Sequence, residues 1–83
     1  MNVYPNLVQN DFTLDIEGQD NEQAKISILN GNGQVLSEKE ENLVSGNNIF
    51  NYYELQNQPS GMYFVTIQMG SYREVKKVTK VSK

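Results

Sequence analysis

The side chains best suited to chemistry in this sequence are acidic and lie in the first third of the chain. Asp15 and Glu17 alternate with apolar residues, and Asp20, Asn21 and Glu22 follow in a polar segment. Carboxylate and amide oxygens so close together could bind Ca²⁺, although the spacing differs from that of an EF-hand loop. A carboxylate pair could also hydrolyse glycosides, but 83 residues leave little room for a substrate cleft. The ordinary alternative is a strand whose wet face is acidic.

Other catalytic chemistry has little support in the composition. The chain contains no histidine and no cysteine, which removes the commonest general base and all thiolate chemistry. Phosphate-binding glycine loops, zinc-protease motifs and the nucleophile elbow are also missing. The serines at positions 27, 37, 45, 60, 71 and 82 have no suggested base. We therefore predict a domain that is not an enzyme, with no catalytic or metal-binding residues, no cofactor and no small-molecule substrate.

Two adjacent tyrosines offer a different kind of site. Tyr52 and Tyr53 could stack against sugar rings. Neighbouring residues of a strand point to opposite faces, so at most one of the two rings can be exposed beside a given sheet face. The competing interpretation places them in the core. They keep open a carbohydrate-binding or spacer module as the alternative function.

Strands must position all of these residues. Apolar and polar residues alternate with period two in several short segments, which predicts half-buried strands. A turn at Asn30–Gly33, a loop at 45–48 and a turn containing Pro59 and Gly61 separate them. Residues 49–55 are aromatic, but two sets of apolar residues compete there for the core. The predicted strands cover 12–17, 24–28, 34–40, 49–55, 63–69 and 72–81.

The last strand combines an irregular pattern with an unusual charge. Val75 and Val81 fall on one face and Val78 on the other, so a bulge near Lys76 and Lys77 would restore the register. Residues 73–83 carry five basic residues and one acid, whereas residues 1–72 carry two lysines and nine acids. This basic segment could make an electrostatic contact or could simply protect a sheet edge. The acidic remainder argues against nucleic acid as a partner.

Six or seven short strands at 8–12-residue spacing predict an all-β fold, an antiparallel β-sandwich. The length fits a single domain, residues 1–83. The first residues have neither a basic nor an apolar signal region, so we expect any export signal to lie on a longer parent protein.

Four segments in order resemble one family. They are Val3–Asn6 at the start, Ile26–Leu36 around the Asn32-Gly33 turn, Pro59–Val65, and Lys76–Val78 near the end. Together they are similar to the type A C-terminal sorting domain of the type IX (Por) secretion system of Bacteroidetes-type bacteria. The likeness runs from Val3 to Lys83, with two departures: Leu7 replaces a proline of the usual opening, and Gln58 replaces an apolar residue.

The resemblance implies an immunoglobulin-like sandwich of about seven strands, excised from a larger secreted cargo protein. It implies passage through the periplasm and across the outer membrane to the cell surface or the medium. Its implied partners are an outer-membrane shuttle protein and a surface sortase that commonly removes the domain. We expect a monomer with possible edge-strand pairing.

The resemblance also assigns roles to particular residues. The family's structural motif falls on Tyr4, Pro5, Asn6, Gly33, Gly61 and Tyr63. Pro5 with Asn6 should form a fixed turn, Gly33 a left-handed corner, and Tyr63 a buried ring whose hydroxyl bonds to the backbone. Partner recognition is expected within residues 72–83, at Arg73, Val75, Lys76, Lys77, Val78, Lys80 and Val81.

Overall fold

The computed structural model of the chain describes residues 1–81, which form eight strands and two sheets. A three-stranded sheet has the order β1-β3-β6, and a five-stranded sheet has the order β2-β8-β7-β4-β5. No helix of residues 1–81 has the length and hydropathy needed to span a membrane. The strands are β1 Asn2–Tyr4, β2 Leu7–Val8, β3 Phe12–Gly18, β4 Glu22–Asn30, β5 Val35–Leu43, β6 Gly46–Tyr52, β7 Gly61–Met69 and β8 Tyr72–Lys80.

The two sheets pack face to face around one apolar core, which confirms the predicted all-β sandwich. The period-two segments beginning at Phe12, Ala24 and Tyr63 lie in β3, β4 and β7. β7 is the central strand of the larger sheet. The immunoglobulin-like topology remains a prediction. The buried apolar residues are Val8, Phe12, Leu14, Ile16, Ala24, Ile26, Ile28, Leu43, Tyr52, Leu55, Tyr63, Val65, Ile67 and Val78.

The predicted hairpin turn lies between β4 and β5. The side-chain oxygen of Asn30 accepts hydrogen bonds from the backbone amides of Asn32 and Gln34 at 2.9 and 3.0 Å. Gly33 has φ of 84°, in the left-handed region that favours glycine, as the sequence predicts. The register of β4 and β5 shifts between Ile28 and Leu29, directly before this turn.

β6 differs from its predicted bounds. The expected loop at 45–48 is wrong for residues 46–48, because β6 begins at Gly46 and ends at Tyr52. Phe50 and Tyr52 face the core side, whereas Ile49 is exposed, which settles the ambiguous phase. Buried Asn48 explains why β6 begins earlier than predicted, since its side-chain amide nitrogen donates to the Ile16 carbonyl of β3 at 3.1 Å.

β8 carries no bulge, so that prediction is wrong. β7 and β8 pair without interruption from Gly61 opposite Lys80 to Met69 opposite Tyr72. The inward positions of β8 need only one core residue, Val78, because the strand lies near the border of the sandwich. The remaining inward positions hold polar side chains, and Val75 is left on the exposed outer face.

The chain changes sheets within its first residues. β1 pairs antiparallel with β3, and β2 pairs in parallel with β8. Tyr4, Pro5 and Asn6 make the crossing, with a cis peptide bond between Tyr4 and Pro5. The predicted turn at Pro5 and Asn6 therefore lies where the chain leaves one sheet for the other, although neither short strand was predicted.

Candidate recognition surface

A tyrosine anchors the start of the β7–β8 hairpin. Tyr63 is buried, and its hydroxyl donates to the Pro59 carbonyl oxygen at 2.6 Å. Gly61 enters β7 with φ of 151°, and its register partner is Lys80. The buried ring and the backbone bond that the sequence predicts for Tyr63 are confirmed. This anchor sets where β7 begins and therefore which residues of β8 lie beside it.

The predicted recognition residues divide between the two faces of β8. Arg73, Val75 and Lys77 alternate along the outer face and are all exposed, Val75 to 52%. Val78 belongs to the core, and half-buried Val81 follows the strand. Residues 82–83, the end of the predicted segment, lie outside the described residues. One strand thus presents two cations and one apolar side chain in a single row.

Lys80 does not belong to the predicted positive surface. Its side chain points inward and the residue is only 6% exposed. The ammonium donates to the carbonyl oxygens of Gln56 and Gln58, at 3.3 and 2.9 Å. Backbone carbonyls can satisfy a buried ammonium because they carry the partial negative charge that its protons need. Lys80 therefore holds the loop before β7 against β8.

Lys76 also points inward, but at the border of the sheet. Its ammonium lies 3.3 Å from Glu74, whose other oxygen accepts a bond from the Tyr72 hydroxyl and, in the 83-residue chain by itself, from the Met1 amine. Partial burial opposes ionisation of Glu74, but these donors outweigh it and hold the pKa of that carboxyl below its usual value. The Lys76 charge is thus partly neutralised, unlike the outer row. Among residues 1–81, the ion pairs include neither Arg73 nor Lys77.

The outer row borders an apolar patch that the sequence reading missed. Six apolar side chains lie on the outer face of the five-stranded sheet. Val35, Leu29 and Phe64 are cross-strand neighbours, and Met62 lies two residues before Phe64. Leu7 and Val75 lie at the margins of this group, where their cross-strand neighbours are threonines. Four of the six are exposed, and the other two are half-buried. Contiguous apolar surface rimmed by charges is typical of interaction sites. We call this set the outer patch: Leu7, Leu29, Val35, Met62, Phe64 and Val75.

The backbone edge of β8 is covered over part of its length only. β2 pairs with Thr79 and Lys80. The amides of Thr79 and Val81 donate toward β2, to the carbonyls of Asn6 and Val8 at 3.0 and 2.8 Å. Residues 72–77 have β7 on one side, and the described sheet contains no strand on the other.

The acidic residues do not converge on a cation site. Asp15 accepts from the Asn47 amide, and Asp20 from the backbone amide of Ser45. Glu22 bonds to the backbone amide of Gln19 in its own turn. Residues 1–81 contain no group of three or more acidic side chains arranged to hold a metal ion. The calcium site that these acidic residues could have formed is therefore not assembled within residues 1–81.

The two candidate stacking tyrosines have different environments. Tyr52 lies in the core, tilted against Phe12 with 5.8 Å between ring centroids. Its hydroxyl donates to Glu41 at 2.7 Å, and burial together with this bond raises the pKa of Tyr52 above its usual value. Tyr53 is 57% exposed. Of the pair, Tyr53 alone remains available to a sugar ring.

An ion pair between β5 and the turn after β6 lies beside Tyr52. The Lys39 ammonium is 2.7 Å from Glu54 and 5.2 Å from the Tyr52 ring centroid. Partial burial favours the neutral form of Glu54, but the Lys39 bond and backbone amides outweigh it and lower the pKa of that carboxyl. The pair joins β5 to the turn after β6, which is a structural role.

Comparison with known proteins decides the family. A family model described as "Secretion system C-terminal sorting domain" matches residues 2–81. The chain belongs to this family. None of the curated proteins compared with the chain matches it.

Membership confirms the resemblance seen in the sequence. The sorting domain is a secretion and sorting signal of cargo proteins of the type IX system, and it is non-catalytic in itself. The family implies export across the outer membrane, to the cell surface or into the medium. It also implies interaction with the secretion machinery.

Proposed function

We propose that this sorting domain is read through β8 by the outer-membrane shuttle protein of the type IX system, and that a surface sortase then removes it from its cargo. The observation that carries the proposal is the outer row of Arg73, Val75 and Lys77. These three side chains are exposed and lie beside an apolar patch. A surface of this kind suits recognition, because its charges attract and orient a partner of opposite charge, while apolar contact adds affinity.

The other predicted recognition residues support this row from behind. Val78 fills the core opposite Tyr63, and Lys80 fixes the loop that precedes β7. Lys76 is held by Glu74, and Val81 continues the pairing with β2. In this proposal they position the outer row, and their substitution acts through folding. Residues 1–83 then form a single sorting domain of a larger secreted cargo, with the cleavage site before the domain.

The test is secretion of a reporter fused to residues 2–83 in a host with a type IX system. Removing residues 74–83 would delete most of β8 and destroy the fold, so charge reversal is the sharper change. The double variant Arg73→Glu with Lys77→Glu should reduce secretion at least about tenfold, because each reversal replaces an attraction with a repulsion. The fold should survive, since both side chains are exposed.

Lys25 provides the matched control. It is exposed on the same outer face but lies on β4, where it pairs with Glu38 at 3.4 Å. Lys25→Glu changes the net charge by as much as either single reversal, Arg73→Glu or Lys77→Glu, and should leave secretion near the wild-type level. Normal secretion of the β8 double variant would refute the proposal. So would an equal loss in Lys25→Glu and the single β8 reversals, which would indicate an effect of net charge alone.

A non-catalytic carbohydrate-binding or spacer module is the second candidate, supported by the exposed ring of Tyr53. One ring gives about 1 kcal/mol of stacking, so binding of a single glycan would be weak. A glycan array tests it: binding that disappears in Tyr53→Ala supports the carbohydrate function, and an array without binding rejects it.

A further inference from the structure

The alternation of backbone groups along β8 leaves one side open. Because the amides of Thr79 and Val81 face β2, and because the β7 register is unbroken, the odd-numbered residues direct their backbone groups away from β7. Arg73, Val75 and Lys77 belong to this set. Their N–H and C=O groups therefore line the stretch of edge beside residues 72–77, where β2 does not reach. We call this stretch the open lane.

We propose that the open lane binds a short extended segment of a partner protein, added as a strand beside β8, in which acidic residues flank an apolar one. The inference rests on the proposed function, for which it names the chemistry of the partner. Cross-strand neighbours on one face have Cβ atoms about 5 Å apart. Acidic residues beside Arg73 and Lys77, with an apolar residue beside Val75, would therefore complement the outer row. An incoming strand would bring the new apolar residue to the border of the outer patch.

The inward side of such a strand requires little. Glu74 and Lys76 are its neighbours there, and they already neutralise each other at 3.3 Å. The segment's intervening residues can thus be small and uncharged. The complementary pattern is acidic, any, apolar, any, acidic. Because this pattern is symmetric, it makes the same pairs whether the segment runs parallel or antiparallel to β8.

The size of the lane favours a short segment over a second copy of this chain. Six residues at about 3.3 Å each span about 20 Å, and β2 blocks any continuation beyond them. The acidic edge strand β5 has nine residues, so most of it would have to pass β2. Pairing of β8 with β5 of another copy would also be heterologous and open-ended, which produces fibres rather than a closed complex.

The test is amide hydrogen exchange of the 83-residue chain with a defined peptide, acetyl-Thr-Glu-Thr-Val-Thr-Glu-Thr-amide. Strand addition predicts slower exchange at Arg73, Val75 and Lys77 by at least about threefold, with no change at Glu74 and Lys76, whose amides already face β7. The same peptide with lysine in place of glutamate, and the peptide N-methylated on alternate amides, should both fail to protect.

Two variants separate backbone pairing from charge attraction. Val75→Pro removes one outward amide at an edge position, where proline is tolerated, and should weaken binding about threefold to tenfold. Val75→Ala keeps the amide and serves as its control. Should Val75→Pro unfold, Arg73→Glu with Lys77→Glu still tests the lane, since it keeps the backbone and should abolish binding of the acidic peptide.

Protection that is absent, or that covers odd and even residues alike, would overturn strand addition. So would concentration-dependent self-association that protects Val35–Leu43 together with the lane, which would assign the edge to a second copy. The outcome is distinct from that of the secretion assay. A secretion defect without peptide protection would leave the proposed function standing and reject the lane. Peptide protection with normal secretion would do the reverse.

Discussion

Deleting one oxygen atom tests the anchor of the β7–β8 hairpin. Tyr63→Phe keeps the buried ring and removes only the hydroxyl that donates to the Pro59 carbonyl at 2.6 Å. A net intramolecular hydrogen bond is worth about 1 kcal/mol, and a carbonyl left dry would add about 1–2 kcal/mol more. Pro59 is exposed, so water can reach its carbonyl. We therefore expect a loss of about 1 kcal/mol in the free energy of unfolding.

Urea unfolding followed by tyrosine fluorescence measures this loss. With a denaturant slope of about 1 kcal/mol per molar urea for a small domain, the midpoint should fall by about 1 M. The melting temperature should fall by about 4–8 °C. Tyr72→Phe is the matched control: it also removes a bonded hydroxyl, the donor to Glu74 at 2.9 Å, but at an exposed site. Exposed bonds contribute little because water replaces them.

A Tyr63→Phe variant that is no more destabilised than Tyr72→Phe would contradict the anchoring role of the Tyr63 hydroxyl. A change in the slope together with the midpoint would contradict it as well, because that would indicate altered compactness rather than the loss of one bond. A loss well above about 3 kcal/mol would show that the ring itself had moved, since hydroxyl deletion alone cannot supply so much.

Three further expectations concern groups with defined contacts. Lys80→Met should lower the urea midpoint and increase hydrogen exchange in residues 53–58, because it removes the donor to the Gln58 carbonyl; unchanged exchange there would contradict the role of Lys80 as a loop anchor. Gly33→Ala should cost about 1 kcal/mol of stability at its φ of 84°, with Gly33→Asn costing less, and equal melting temperatures would argue against the left-handed corner. The pKa of Glu54 is lowered in the folded state, so its contribution is present above the unfolded pKa and is lost as pH falls through the folded value. Glu54→Gln should therefore be destabilising at pH 7 and nearly neutral at pH 2–3 in urea titrations, whereas a pH-independent difference would rule out the ion pair as its cause.

The strands that the sequence predicts well are those with one dry face and one wet face. In β3, β4 and the centre of β7, apolar and polar residues alternate because one face of each strand packs on the core and the other is turned away from it. β1 and β2 have three and two residues, too few for any period to be visible. Their positions are set by pairing with β3 and β8, and so short a pattern cannot indicate those partners.

β6 and β8 depart from the predicted patterns because polar residues occupy inward positions. Asn48 is buried and bonded to the Ile16 carbonyl, so the inward row of β6 begins with an amide. In β8, Lys80 and Lys76 take inward positions, where the alternation of apolar and polar residues would predict apolar side chains. Lys80 depends on loop carbonyls that tertiary packing supplies, and a single sequence contains no signal of them. Lys76 pairs with Glu74, two residues earlier on the same face of the strand.

The same positions limit how much of the candidate surface the sequence could predict. A cluster of lysines near the end indicated a basic segment, but spacing alone could not show that Lys76 and Lys80 turn inward while Arg73 and Lys77 turn outward. That division follows from strand parity once the β7 register is known. The outer patch was hidden for another reason: its residues come from five strands, β2, β4, β5, β7 and β8, which only the order of the sheet brings together.

The position of β8 in the sheet connects the fold to recognition. A strand next to the edge usually has both sides paired, and an edge strand usually carries charges or bends that block pairing. β8 is an inner strand at one end and an edge strand at the other, because β2 covers Thr79 and Lys80 and leaves the residues before them open. The open part is the part whose outer face carries Arg73, Val75 and Lys77. Charges that repel other basic edges would admit an acidic one, so the same row can oppose β8–β8 pairing between copies and select an acidic partner strand. Reversing those two charges should therefore do more than weaken recognition: it should also remove a barrier to pairing with basic strands.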